Sequence, residues 1–293
     1  MLLNRSISIG YFINEIKFQI LLIILFALTM AVFDHFSAFR NVTLPLSVPA
    51  LVGTAVSLLL AFRTGQSYER WWEARNIWGA IVNDSRSLIR LTMQFLPAGS
   101  DEEIQAFVRR QAIWNYALGE SLRRLPYSEK VQAYLDEHQI QALNIPNAIL
   151  DEHSKQIASL YEAGKLSGFQ QMQLNELLIK LCDSMGKCER IKNTVFPRSY
   201  SMLVHTMIYL FAAILPFGLE DSKLLMEVTI TIAIPIMFIA IEKTAIIMQD
   251  PFENTPVDTP MTTLAQTIEN NLKQMSGRND IQPKVDNGLY YEM

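Results

Sequence analysis

Between Leu44 and Phe62 the chain carries nineteen residues without a formal charge, LPLSVPALVGTAVSLLLAF. A helix needs about 20 apolar residues to cross about 30 Å of hydrocarbon, so this stretch predicts a membrane span. Its composition adds a second constraint. Ala50, Gly53, Thr54, Ala55, Ser57 and Ala61 are small or weakly polar, and such residues let helices approach closely, so the span expects protein neighbours on most sides. Pro45 and Pro49 fall in its outer part, where neighbours or water can re-satisfy the freed carbonyls. At helical spacing Thr54, Leu58 and Phe62 form one stripe, and the sequence turns polar at Arg63. The stripe has two readings: a face buried in a helical bundle, or a pore wall in which several copies contribute rings of Thr, Leu and Phe.

The 293 residues leave room for one or two domains, and half of them are hydrophobic. That apolarity concentrates at 18–62 and 202–247, around a polar middle. The first span runs Phe18–Phe33, and the short connection to the second predicts an antiparallel hairpin. It starts only after Lys17 and has no small-residue cleavage pattern behind it, so it reads as a span and not a removable signal. A third span is expected at Met202–Leu219, with His205 its only ionisable group. A fourth is expected at Met226–Ile247, kinked at Pro235 and carrying Glu242 and Lys243 near its inner end. Four spans put both termini on one side. Lys and Arg crowd that side (Arg5, Lys17, Arg63, Arg70, Arg75, Lys187 and more), against only Arg40 and Lys223 on the short connections. By the positive-inside rule both termini and the polar middle are cytoplasmic, and the expected location is the cell inner membrane.

The segment FRTGQSYERWWEARNIW has the aromatic and charged signature of a membrane interface. Ile77, Trp78, Ile81, Val82, Leu88, Ile89 and Thr92 then recur near a period of 3.6, predicting an amphipathic helix that ends at Pro97–Gly99. Ser100 with Glu103 predicts a capping box, and Ile104, Phe107 and Val108 mark the buried face of the next helix. Further helices are expected at 128–143, 147–162 and 169–192, punctuated by Pro126, Pro146 and the AGKLSG turn. No alternation suggests strands. After the fourth span come a Pro-punctuated loop, a polar helix at 261–275 and a tail from 276 to 293. The expected fold is thus an all-α membrane protein. It divides into 1–62 with two spans (18–33 and 44–62), a helical bundle at 63–201, two spans at 202–247, and a helix with a tail at 248–293.

Chemistry is sparse. A net charge of −4 gives no reason to expect nucleic acid as a partner. The only cysteines, Cys182 and Cys188, are expected in the core, and a reducing compartment fits them. No P-loop, dinucleotide glycine pattern, nucleophile elbow or zinc-protease motif occurs. The triplets Asp136-Glu137-His138 and Asp151-Glu152-His153 read as solvated faces, because successive helical residues point apart. His205, Glu242 and Lys243 either face an interior or water path, or snorkel to the interface. A pump would want several buried carboxylates, and the spans offer one by this reading. No catalytic set is visible, so the chain is not expected to be an enzyme, and no cofactor or metal is expected.

Several ordered motifs resemble the bestrophin family in its bacterial branch: FRTGQSYERWWEARNIWG after the second span, AGKLSG, GKCERI leading to FPRSY, and DPFEN after the fourth span. The resemblance covers nearly the whole chain. It implies a homopentameric ion channel, chloride-type by default, with one pore lined by the second span. The family's neck of three apolar rings falls on Thr54, Leu58 and Phe62, the same stripe that spacing picked out. Its second constriction, at the cytoplasmic exit, falls on Phe169. Two departures stand out. Animal members carry a run of acidic residues that clasps Ca²⁺, whereas here Asp250, Glu253 and Asp258 are scattered among prolines, which argues against a calcium clasp. The neck also has one aromatic ring, and Leu offers an anion no counterpart to the positive edge of Phe. A monovalent-cation channel of sodium type is therefore an alternative. A membrane-anchored scaffold or sensor is the rival from another class. The expected partners are further copies of the chain, lipid and permeant monovalent ions.

Overall fold

The computed structural model of the chain describes residues 9–36, 44–219 and 224–281. Among these it is helical, without a strand: α1 (Ile9–Phe36), α2 (Ser47–Phe95), α3 (Asp101–Leu122), α4 (Glu129–Glu137), α5 (Ile145–Glu162), α6 (Gly168–Asn193), α7 (Arg198–Ile214), a 3₁₀ turn (Pro216–Gly218), α8 (Leu224–Gln249) and α9 (Met261–Met275). They make two compact units. One holds the described residues up to Arg70 together with Val195–Gln249; the other holds Trp71–Thr194 and the described residues from Asp250 onward. One continuous helix, α2, supplies residues to both.

In the first unit α1, α7 and α8 pack on one another, and its core comprises Ile23, Val56, Leu60, Val204, Ile208, Phe211, Phe238 and Ile239. Three helices contain stretches long and apolar enough to cross a membrane, at Ile13–Met30, within Ser47–Phe95 and at Met226–Gln249. The run expected as Met202–Leu219 is built differently. Its helix begins earlier, at Arg198, and stops at Ile214. Pro216 has no N–H with which to continue the ladder, so the chain tightens into the 3₁₀ turn. That turn sits against the start of α2: a Cβ on Gly218 would meet Pro49 Cγ at 2.7 Å, and Leu44 N donates to Phe217 O at 2.9 Å. α8 remains one helix through Pro235.

In the second unit α3 is the central element, packed on α9 and α5, with α6 against α5. The later half of α2 buries Trp78, Ile81, Leu88, Ile89 and Thr92, the row its periodicity marks. Phe107 and Val108 of α3 are buried as expected.

Five expectations need correction here. Ser100 makes no capping bond, and Glu103 reaches across to Lys165 instead, an ion pair that outcompetes a local cap. α4 ends at Glu137, short of residue 143, because Gln139 turns left-handed (φ 53°) and the amides of Gln139 and Ile140 bond back to Asp136 and Leu135. Cys182 is exposed, whereas Cys188 is buried and burial pushes its thiol up to about 12. His153 is fully buried and stacked on Phe107 at a ring separation of 5.2 Å, not on a solvated face. Pro146, expected as a break, lies in the first turn of α5, where a missing N–H is tolerated.

Candidate functional site

Within the first unit, α2 has two opposed rows. Val56, Leu60, Arg63 and Ser67 recur at helical spacing and are all buried. Thr54, Leu58 and Phe62 lie on another face and are exposed, Leu58 at 58% and Phe62 at 63%. The Thr54 hydroxyl donates to Ala50 O at 2.8 Å, so it is satisfied inside the helix.

The buried row determines which residues face outward, and four contacts hold it. Gly53 lies so close to α7 that a Cβ there would meet Phe211 Cε2 at 2.9 Å. The Tyr200 hydroxyl donates to Leu59 O at 2.7 Å. Arg70 Nε donates to Gln249 O, at the last turn of α8, at 3.0 Å. The fourth contact is an ion pair: Arg63 Nη1 donates to Glu242 Oε1 at 3.0 Å, with both side chains only 2% exposed.

His205 Nδ1 lies 3.0 Å from the same carboxylate oxygen and 3.3 Å from Ser201 O, and the Arg63 guanidinium stands 5.2 Å above the Phe196 ring. The snorkelling reading of Glu242 is therefore wrong. Its carboxylate is at the centre of a buried cluster, while Lys243 alone reaches outward to Glu15 of α1 at 3.2 Å. Glu227, which the sequence reading passed over, is a second buried carboxylate in α8. A cavity of about 620 Å³ opens beside Phe62, lined by Arg63, Gln66, Phe196, Tyr200 and Leu203.

The signal for the cluster was available. Arg63, His205 and Glu242 all lie toward the same end of their apolar runs, and ionisable groups at a shared depth find one another.

In the second unit, Phe169 is positioned by the AGKLSG turn. Gly164 takes the left-handed conformation (φ 71°), closing α5 through bonds from Gly164 N to Tyr161 O and from Lys165 N to Leu160 O, both 2.9 Å. Ser167 and Gln170 form a reciprocal capping box that opens α6. Phe169 thus stands in the first turn of α6 and is 83% exposed. The loop after α8 is tied to its own unit. Trp71 Nε1 donates to Val257 O at 2.7 Å, and Lys192 pairs with Glu253 at 2.6 Å. Asp258 accepts from Thr255 N and Oγ1 at 3.0 and 2.5 Å; burial pushes its carboxyl up, and these hydrogen bonds only partly oppose it.

A family model described as Bacterial/Fungal Bestrophin protein matches residues 3–274. The chain belongs to the bestrophin family. Among curated bestrophin relatives, the voltage-dependent anion channel-forming protein YneE of Salmonella typhi is 31% identical over 279 residues, 94% of this chain and 91% of that protein. YneE of Escherichia coli K12 is 29% identical over 288 residues, covering 97% and 94%. A crystal structure of a bacterial bestrophin homolog from Klebsiella pneumoniae superimposes with a TM-score of 0.82 at 29% identity, covering 90% of this chain and 99% of that one. This bestrophin is accordingly a membrane protein, helical and without a strand among its described residues, of a family whose curated relatives are named as channels.

Proposed function

We propose that this bestrophin is a passive ion channel in which several copies, five by family resemblance, meet around an axis and line it with α2. The observation that carries this reading is the asymmetry of α2. One face is latched by Gly53, Arg63 and Arg70, and the opposed face presents Thr54, Leu58 and Phe62 outward with nothing among the described residues to cover them. Rings of these side chains form a hydrophobic neck that conducts when wetted and closes by dewetting. The cavity beside Phe62 gives its ring room to swing. Phe169 forms a second apolar ring.

The spans in this reading are α1, the first part of α2, α7 extended by its 3₁₀ turn, and α8. At 17 residues α7 alone is about 26 Å long, and the turn brings it to the thickness of the hydrocarbon core. Both termini and the second unit lie on the cytoplasmic side of the inner membrane, following the Lys and Arg bias. The permeant ions are small and monovalent. The named function of the relatives favours an anion such as chloride; the single aromatic ring of the neck leaves a sodium-type channel as the competing reading.

Recording the purified protein in a planar bilayer under a tenfold sodium chloride gradient tests this. Unitary currents reversing toward the chloride potential support the anion reading, and reversal toward the sodium potential supports the cation reading. Absence of current from correctly folded protein refutes the channel and leaves a membrane-anchored scaffold.

A further inference from the structure

A second candidate site is built wholly from residues of the second unit. In the second unit, α3, α4 and the end of α9 enclose a pocket of about 570 Å³, the size of a small-molecule site. Five cationic side chains line it against three carboxylates. Two of those carboxylates are already engaged. Glu137 takes a bidentate pair from Arg109 at 2.8 and 2.5 Å, and Glu269 accepts from Lys130, Lys273 and the Tyr116 hydroxyl. The third, Glu102, is exposed.

Among the described residues Arg110 has no ion-pair partner. Its side chain is only 7% exposed, yet its partners among the described residues are all neutral: Tyr134 Oη at 3.1 Å, Gln156 Oε1 at 2.6 Å and His153 Nδ1 at 3.5 Å. Its Nη2 makes no hydrogen bond to them. A buried guanidinium is ordinarily paired with an anion, because desolvation otherwise strongly disfavours it. His153 does not share the burden of charge. Burial and the Arg110 charge hold its pKa well below the usual histidine value, so it stays neutral beside the guanidinium.

Arg278 approaches the pocket from α9. Gly277 is left-handed (φ 80°), and the amides of Gly277 and Arg278 bond back to Gln274 and Lys273 at 3.2 and 2.9 Å, which fixes the Arg278 backbone at the end of the helix. Its exposed side chain makes no hydrogen bond or ion pair with the described residues; Asp280, whose carboxyl its charge helps to hold down, is bonded to Lys273 at 3.0 Å.

We propose that this pocket binds a small oxyanion of two or more negative charges, a polyphosphate or a polycarboxylate, held between Arg110 within and Arg278 at the rim. Planar guanidinium groups match the oxygens of either class by paired hydrogen bonds. A single-charge halide would satisfy only one of the two arginines. The inference does not depend on the channel reading, since binding is measured without flux.

Isothermal titration of the full-length protein in detergent, with pyrophosphate and with citrate at ionic strength matched by sodium chloride, tests it. Saturable binding at one site per chain is expected for at least one probe. Arg110→Gln and Arg278→Ala are each expected to weaken it about tenfold or more, as loss of a charge-assisted contact does, and Lys180→Ala is expected to leave it unchanged. Pyrophosphate binding alone assigns a phosphate source, citrate binding alone a carboxylate source. Should Arg110→Gln not fold, exposed Arg278 still decides. No saturable binding of either probe, or affinity unaltered in Arg278→Ala, overturns the site.

Discussion

Arg63 and Glu242 lie 179 residues apart in sequence, and their side chains meet at 3.0 Å with almost no solvent access. Breaking such a pair from one side strands a buried charge, which costs about 3–5 kcal/mol, whereas removing both charges can be close to neutral. Glu242→Leu is therefore expected to lower the thermal unfolding temperature in detergent sharply, and Arg63→Met/Glu242→Leu to recover most of the loss. Equal destabilisation by the single and double variants would show that the pair does not hold α2.

Gly53 sets how closely α7 approaches α2. The ring a side chain would strike, Phe211, is itself held edge-on by Phe238 at 5.4 Å and cannot simply turn away. Overpacking of this kind costs about 1–3 kcal/mol. Gly53→Val should destabilise the protein by that amount in the same unfolding assay, and adding Phe211→Leu should restore part of it.

The buried imidazole of His153 makes stability depend on pH. In the folded chain burial, aided by the Arg110 charge, keeps it neutral, while the unfolded chain takes up a proton below about 6.5. The unfolded state then binds more protons, so stability falls as pH drops through that window, by about 1.4 kcal/mol per pH unit. His153→Gln keeps an acceptor for Arg110 and removes this titration. Melting temperatures recorded from pH 7 to pH 5 should fall less steeply for the variant than for the native chain.

Calcium removal should change nothing. Glu253 pairs with Lys192 and Asp258 accepts from Thr255, contacts that a calcium clasp drawing six to eight oxygens from this loop would have to break. Flux through reconstituted protein is expected to be the same with excess calcium and with a chelator present.

Local pattern made much of this architecture readable. The apolar runs, the 3.6-residue rhythm from Ile77 to Thr92, and the Gly164 and Ser167 punctuation before Phe169 are signals carried by neighbouring residues. What was misread depends on distant partners. Glu103 looks like a capping residue until Lys165 is beside it, His153 looks solvated until Phe107 covers it, and Glu242 looks interfacial until Arg63 and His205 are brought to it. Gln139 shows the limit of punctuation itself, since a non-glycine residue takes the left-handed turn that ends α4. The exposed row on α2 was legible as a stripe, but its outward direction follows from the buried row opposite it, which only tertiary contacts define.

In the proposed pore Leu58 and Phe62 form the narrowest apolar part of a water-filled path, and the unitary conductance of Leu58→Ala/Phe62→Ala in planar bilayers decides whether they do. Removing two apolar rings should widen the path and ease its wetting, so the double variant is expected to conduct severalfold more than the native channel. A conductance equal to that of the native protein, from a variant that folds and assembles as it does, would place these side chains away from the ion path and contradict the account.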